Sequence, residues 1–568
     1  MAPTQRQMFD GIGKSLKGLR EPHESVFREL ADNFNPRRGR FSRGKAHQHS
    51  QGTNKKLLNA RPRYSHRTLQ SGMQAGITSP ARPWFRLIPE NPDMRNNTEL
   101  KEHLQIATRE IRQLLQTAGI NTMLHTGWGD LGLFGHDCAI IEDDPLHVLR
   151  GQQLVAGEFW LGENGRGLVD TCYREIEYTI QQAVTKFVYG NDPLSKPDWS
   201  KVSKTIKKLW DDGNIGSTLM VRHLIMPRSD REIGNPLPRH MPIMSTYWEE
   251  GASNDGLLVE SGYRSNPIVA SRWETEGTNV YGSSPAMDAL SDAKQLQLQE
   301  RDKLETIRRM NRPPMNVDVG LRNSGYSMMP EAVNYMVDPS KGAVPSFQVQ
   351  GQVSHLMDDI RNTEGRIDEG MYANLFLMIA NLDRRQITAR EIDERHEEKL
   401  IGLGPVLERQ HREKLGPLLR IMYNGLIEAG RIPPLSEALA GTPLVIDYIS
   451  MLAQAQKAIA TGGIERLYAF VGNVSASDAQ VLDKLDNDAA VDEYAEMVGV
   501  PTNLLRPNDE VDQRRAERQE AQQAEAAAER AAQLAPAVKQ GADAARVLSE
   551  TDQSSGAPRD ILANLGIG

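Results

Sequence analysis

Residues 285–430 constrain the fold more than any other stretch, because they read as three long helical segments separated by two irregular interruptions. In the middle segment Val353, Leu356, Met357, Ile360, Ile367, Met371, Leu375, Met378 and Ile379 recur at the spacing that lines one helix face. At the α-helical rise per residue this helix runs roughly 40 Å. Thr388-Ala389-Arg390-Glu391 then has capping-box spacing, in which hydroxyl and carboxylate each satisfy a free backbone N–H. A third helix is predicted from there through Leu400, Leu407, Leu419 and Leu426 to a C-cap at Gly430, ahead of Pro433-Pro434. Gly404-Pro405 and Gly416-Pro417 fall inside it and predict kinks, since each proline removes a ladder donor and crowds the preceding turn. The first segment starts at Pro285 after Ser284 and runs through Leu290, Leu296, Leu304 and Ile307 to Met310, stopping at Pro313-Pro314. Its apolar stripe is thin, and such a helix must pack on something narrow or stand in a symmetric ring.

A chain of 568 residues exceeds one ordinary core and is expected to divide into several domains. No run of eighteen apolar residues occurs, mean hydropathy is -0.52, and MAPTQRQMFDGIGKS has no apolar block, so neither membrane insertion nor secretion is expected. Cys138 and Cys172 are too few and too far apart for a zinc motif or disulfide framework, and are expected to be buried thiols. Charge is uneven. Residues 1–70 hold 15 Lys plus Arg against 5 Asp plus Glu, a net of +10, which leaves -18 for the remainder given the total of -8. Within the basic segment Arg37, Arg38, Arg40, Arg43 and Lys45 form a candidate contact arm for nucleic acid or an acidic partner surface; a solvated arm satisfies the same composition.

The first half reads as α+β. Residues 5–32 are helical and 33–63 a basic loop. A small-residue helix with Gly72, Ala75 and Gly76 ends at Ser79-Pro80 before a strand at Trp84–Leu87, a tightly packed corner with nothing catalytic in it. Residues 99–120 are helical. Strands are expected at 138–142, 153–161, 169–172, 217–225, 240–250 and 256–273, with a helix at 174–188. Gly13-Lys14-Ser15 imitates the end of a phosphate-binding loop, but Met8 occupies the position of the first glycine and no strand precedes it. Glu158, Glu163 and Asp170 read as a solvated hairpin rather than a metal or acid–base set. Residues 312–350 carry short β-prone pieces, Met315–Val319 and Phe347–Val349, and residues 380–387 set Arg384, Arg385 and Gln386 on a loop. Adjacent arginines suit phosphate contact, or pairing with acids on a neighbouring subunit; both stay open. Beyond Pro433 helices are expected at 444–459, 464–471, 476–485, 489–498 and, alanine-rich, from 510 to 535.

Several blocks, taken together, resemble the head-to-tail connecting, or portal, proteins of short-tailed bacteriophages: SGMQAGITSPARPWFRL (71–87), GEFWLGENGRGLVDTCYREIEYT (157–179), RWETEGTNVYGSSPAMDALSDAKQLQ (272–297), NRPPM (311–315) and TAREIDERHEEKLIGLGPVLERQ (388–410). The resemblance implies a predominantly helical α+β portal fold, assembled as a ring of about twelve subunits. Its parts would be a wing (1–283), stem helices (284–311 and 351–379) flanking an α/β clip (312–350), a tunnel loop (380–387), a long kinked wing helix (388–430), a helical crown (431–508), a barrel helix (509–550) and a flexible tail (551–568). It also implies the capsid vertex of the virion as location after assembly in the host cytoplasm. The implied partners are copies of itself, double-stranded viral DNA, a terminase, major capsid and scaffolding proteins, and tail adaptors, with no cofactor or metal. The competing classes are another virion adaptor or scaffold-like protein, and a nuclease or ATPase using His396 or His411, for which no carboxylate pair has convincing metal spacing.

Overall fold

A computed structural model describes residues 4–39, 41, 57–91, 94, 97–190, 196–251, 256–277, 279–313, 315–317, 353–382, 402–436, 439, 443–453, 466–474, 479–498 and 511–526, with isolated positions between 319 and 345. The chain divides into two units, Met1–Glu465 and Arg466–Gly568.

In the first unit, Thr4 and Gln7 close a reciprocal cap that starts α1 (Gln5–Phe34), whose Phe27, Leu30 and Phe34 are buried. Gly13 lies mid-helix where an added Cβ would meet the Tyr173 ring at 2.7 Å, so Gly13-Lys14-Ser15 is a packing contact. α2 (Arg61–Ile77) takes Pro62 into its first turn, which makes Arg61 to Arg63 helical rather than part of the expected loop. After α3 (Thr98–Thr117) comes α4 (Ile120–Phe134), a helix that the hydrophobic periodicity did not reveal. It is buried on almost every side, so it has no polar face for apolar positions to alternate with. Its glycines admit close neighbours, with Leu69 over Gly132 and Gln70 over Gly129. Gly135, at φ 76°, ends the helix and donates to Leu131 O.

Two antiparallel sheets follow. β2 (His136–Asp144) is flanked by β3 (Val148–Gln153) and by β9 (Ile268–Arg272). The second sheet runs β4 (Phe159–Glu163), β5 (Val169–Thr179), β6 (Thr218–Pro227), β7 (Ile243–Glu249) and β8 (Val259–Tyr263) in sequence order. A separate apolar cluster of Ile180, Phe187, Ile206, Val221 and Tyr247 packs beside it.

Several boundaries differ from expectation. The strand expected over 153–161 is two strands parted by a turn with Gly157 at φ 105°, and that over 256–273 divides between the two sheets. Residues 174–179, expected to be helical, complete β5, because Thr179 and Gln182 form a capping box that delays the helix to α5 (Ile180–Ala183). A further short helix, α6, spans Lys204–Asp211. The start of the helix expected over 444–459 is instead β12 (Leu444–Tyr448), antiparallel to β1 (Phe85–Pro89). Its β-branched and aromatic residues find a long-range partner that local propensity cannot report.

The first long helical segment divides at Ala289 into α7 (Pro285–Asp288) and α8 (Leu290–Asn311), and the second into α9 (Val353–Gly370) and α10 (Ala373–Leu382), with Tyr372 at φ 53° between them. Between the two segments the described strands are β10 (Met315–Asn316) and β11 (Val344–Pro345), an antiparallel pair; Phe347–Val349 lies outside the described residues. Of the third segment, α11 (Gly404–Gln410) leads through a π-helical turn, His411–Leu415, into α12 (Gly416–Glu428). Pro417 cannot donate to the ladder, and Gly416 N–H reaches back to His411 O, so the kink expected at Gly416-Pro417 takes the form of a widened turn. Gly430, at φ 69°, bonds to Ile427 O and Arg431 N–H to Leu426 O, the Schellman end expected there. The capping box at Thr388 lies outside the described residues.

In the second unit, 466–474 and 511–526 are helical, Ala479–Lys484 is a tight helical turn and α13 spans Asn487–Val498. Arg515 binds both carboxylate oxygens of Asp488 at 2.5 and 2.7 Å.

Candidate functional site

The α7–α8 and α9–α10 hairpin is rooted in the body by polar contacts. Ser284 caps α7 by accepting from Met287 N–H at 3.1 Å, and its hydroxyl donates to Leu133 O at 2.9 Å. Residues 58–65 clamp both helices. Gln297 Oε1 accepts from the backbone N–H of Leu58 (2.7 Å) and Asn59 (3.0 Å). Asn59 Nδ2 bridges Glu300 (3.0 Å) and Glu364 (2.8 Å), and Asp368 accepts from Arg61 (3.0 Å) and Ser65 (2.5 Å). Across the hairpin Arg366 donates to Asp292 at 2.9 Å and Gln299 to Asp359 at 2.5 Å. The apolar face that begins with buried Ala293 and Leu296 continues outward without cover from the described residues. Leu304 is 44% exposed, Ile307 36%, Met310 47% and Met357 44%.

Behind the hairpin, the π turn offers Glu413 and Lys414 to the three-stranded sheet. Lys414 Nζ lies 2.5 Å from Asp137 and 4.0 Å from the Trp128 ring centroid, wholly buried. Ser271 donates to the other Asp137 oxygen at 2.5 Å. Burial pushes the Asp137 carboxyl up, and Lys414 and Ser271 pull against that. Gly127 is required here, since a Cβ would fall 2.5 Å from Asp137 Oδ2. Arg272 pairs with Glu413 at 2.9 Å and with Glu163 at 3.0 Å. Neither Lys414–Asp137 nor Arg61–Asp368 was foreseen; each joins residues hundreds of positions apart, and no local pattern marks them.

The candidate contact residues fall apart into groups. Arg384, Arg385 and Gln386, and Arg40, Arg43 and Lys45, lie outside the described residues, although α10 carries the helix to Leu382, past the expected loop start at 380. Arg37 is exposed. Arg38 is a correction to the arm: its Nε donates to Asp130 Oδ1 at 2.6 Å and its Nη2 to the other oxygen, so it is committed to the body. Glu163 is likewise in an ion pair rather than solvated. Cys138 and Cys172 are free and buried, as expected. Among the described residues no group of His, Cys, Asp or Glu is arranged to hold a metal. His411 stacks flat on Tyr448 at 3.7 Å, and burial lowers its pKa to about 4; His396 lies outside the described residues.

The described residues of the first unit form a charge-stapled α+β body bearing a helical hairpin with an open apolar seam. Residues 6–505 match the bacteriophage head to tail connecting protein family, and the chain belongs to that family. It is 37% identical over 553 residues to the probable portal protein of Bordetella phage BPP-1, covering 97% of this chain and 96% of that one. It is 34% identical over 567 residues to the portal protein of Salmonella phage epsilon15, covering 99% of each. Its function is that of a portal, the connector between head and tail, in a family whose role is structural.

Proposed function

We propose that copies of the chain close head-to-tail into a ring of about twelve around a channel for double-stranded DNA, at one capsid vertex. The observation that carries this is the uncovered seam of Leu304, Ile307, Met310 and Met357, which a neighbouring copy of the same hairpin would cover. In this reading residues 284–311 and 351–379 are the stem, 312–350 the clip that meets terminase and then tail adaptors, and 1–283 the wing facing capsid and scaffolding proteins. The crown and barrel follow residue 431. The excess of -18 outside the first 70 residues supports a channel that repels a duplex and lets it slide. Arg384, Arg385 and Gln386 of the tunnel loop, with Arg37, Arg40, Arg43 and Lys45 of the arm, supply local phosphate contacts.

Electron microscopy of the purified protein, with mass by light scattering, tests the ring. Closed rings with a hole wide enough for a duplex are expected, and a compact dimer without a channel overturns the proposal. Changing Arg384 and Arg385 together to alanine should leave rings intact and alter packaging or genome retention; insoluble, unassembled subunits would contradict the placement of that loop.

A further inference from the structure

The run Ser79 to Trp84, to which the sequence assigns only a packing corner, walls a cleft of about 190 Å³ against α3 and the first turn of α4. Pro80, Pro83 and Leu115 supply apolar walls, and Arg82, Arg112 and Asn121 supply polar ones. Arg112 is partly buried, with one described hydrogen bond, from Nη2 to Phe85 O at 3.3 Å, and its guanidinium lies 5.9 Å from the Phe85 ring centroid. Its Nε is buried without a partner among the described residues, and so is Asn121 Oδ1. Burial alone pulls its pKa down, and no carboxylate counters it. Arg38, Arg61 and Arg272 each have a carboxylate of this chain, whereas Arg112 faces the cleft with none among the described residues. Gly119 caps α4 without a side-chain hydrogen bond.

We propose that this cleft binds a carboxylate of an acidic peptide segment from a partner protein of the particle, held by the Arg112 guanidinium with Arg82 at the rim. A guanidinium fork matches a carboxylate bidentately, and apolar walls strengthen the pair by excluding water. A duplex is the poorer fit, because its phosphates lie on a convex rod and call for a spread basic stripe, not one recessed cation. Asn121 can serve as a second donor with its amide turned toward the ligand.

The test is fluorescence anisotropy of a fluorescein-labelled hexaglutamate peptide with the full-length protein at low salt, competed in turn by inorganic phosphate and by a short DNA duplex. Arg112→Gln, which keeps a donor for Phe85 O, should weaken peptide binding at least about tenfold. Arg112→Lys should recover part of the loss, and Arg239→Gln, at an exposed arginine outside the cleft lining, should leave affinity unchanged. Asn121→Asp keeps the size of the side chain, adds a negative charge and should also abolish binding, which decides the matter if the Arg112 variants fail to fold. Unchanged affinity in folded Asn121→Asp overturns the proposal. So does Arg112-dependent binding confined to phosphate or to the duplex, or peptide binding lost in Arg239→Gln.

Discussion

At the scale of single residues, Lys414 and Asp137 bind the π turn to the sheet with full loss of hydration on both sides. Removing one partner strands the other charge in the interior, so Lys414→Met is expected to destabilise the first unit by about 3–5 kcal/mol, read from the midpoint of urea unfolding at constant m-value. Burial also holds His411 neutral in the fold, at a pKa of about 4 against an ordinary value of 6.5. The unfolded chain binds that proton more readily, so this stability is present in full above 6.5 and is lost as pH falls from 6.5 toward 4. His136, lowered to about 3 by burial, acts in the same direction. Urea midpoints at about pH 7 and about pH 5 should show the loss, and His411→Phe, which keeps a ring against Tyr448, should show a smaller one.

At the scale of elements, the hairpin depends on how closely α2 and α10 approach. Gly72 lies against Phe376, and a Cβ there would overlap that side chain. Gly72→Ala is expected to cost about 1–3 kcal/mol and to lower the thermal midpoint, because the neighbour is a fully buried ring with no free direction to move. The small residues Gly72, Ala75 and Gly76 were legible in the sequence as a close-approach motif, though Phe376 as the partner was not. Long periodic segments such as Val353–Gly370, and the Gly430 cap, were legible for the same reason: their signals are local. α4 was not, because a helix buried on almost every side shows no clear alternation. β12 was not, because its identity as a strand depends on β1, far away in the chain. The candidate contacts fared likewise. Arg37 and Arg38 are neighbours of one composition, and only the fold shows that Asp130 claims the second.

At the scale of the whole molecule, the proposed ring assigns the seam on α8 and α9 to assembly rather than to folding. Ile307 is exposed in the single chain, so Ile307→Glu should leave the thermal midpoint of the subunit nearly unchanged, within about 0.5 kcal/mol of stability, while size-exclusion chromatography loses the ring. A subunit that loses its fold with this change would mean that the seam is already covered within one chain. The same comparison separates the seam from the polar clamp, where Asn59, Arg61 and Asp368 act inside one subunit.

The pairing of Phe85 with Tyr448 sets a timetable on the ribosome. β1 emerges early, and the strand that completes it is among the last pieces of the first unit to be made. Throughout that interval β1 offers an unpaired edge and Trp84 and Phe85 lack part of their cover. A nascent chain released before residue 444 would keep that edge permanently, so premature termination yields a template for aggregation rather than a shorter working subunit.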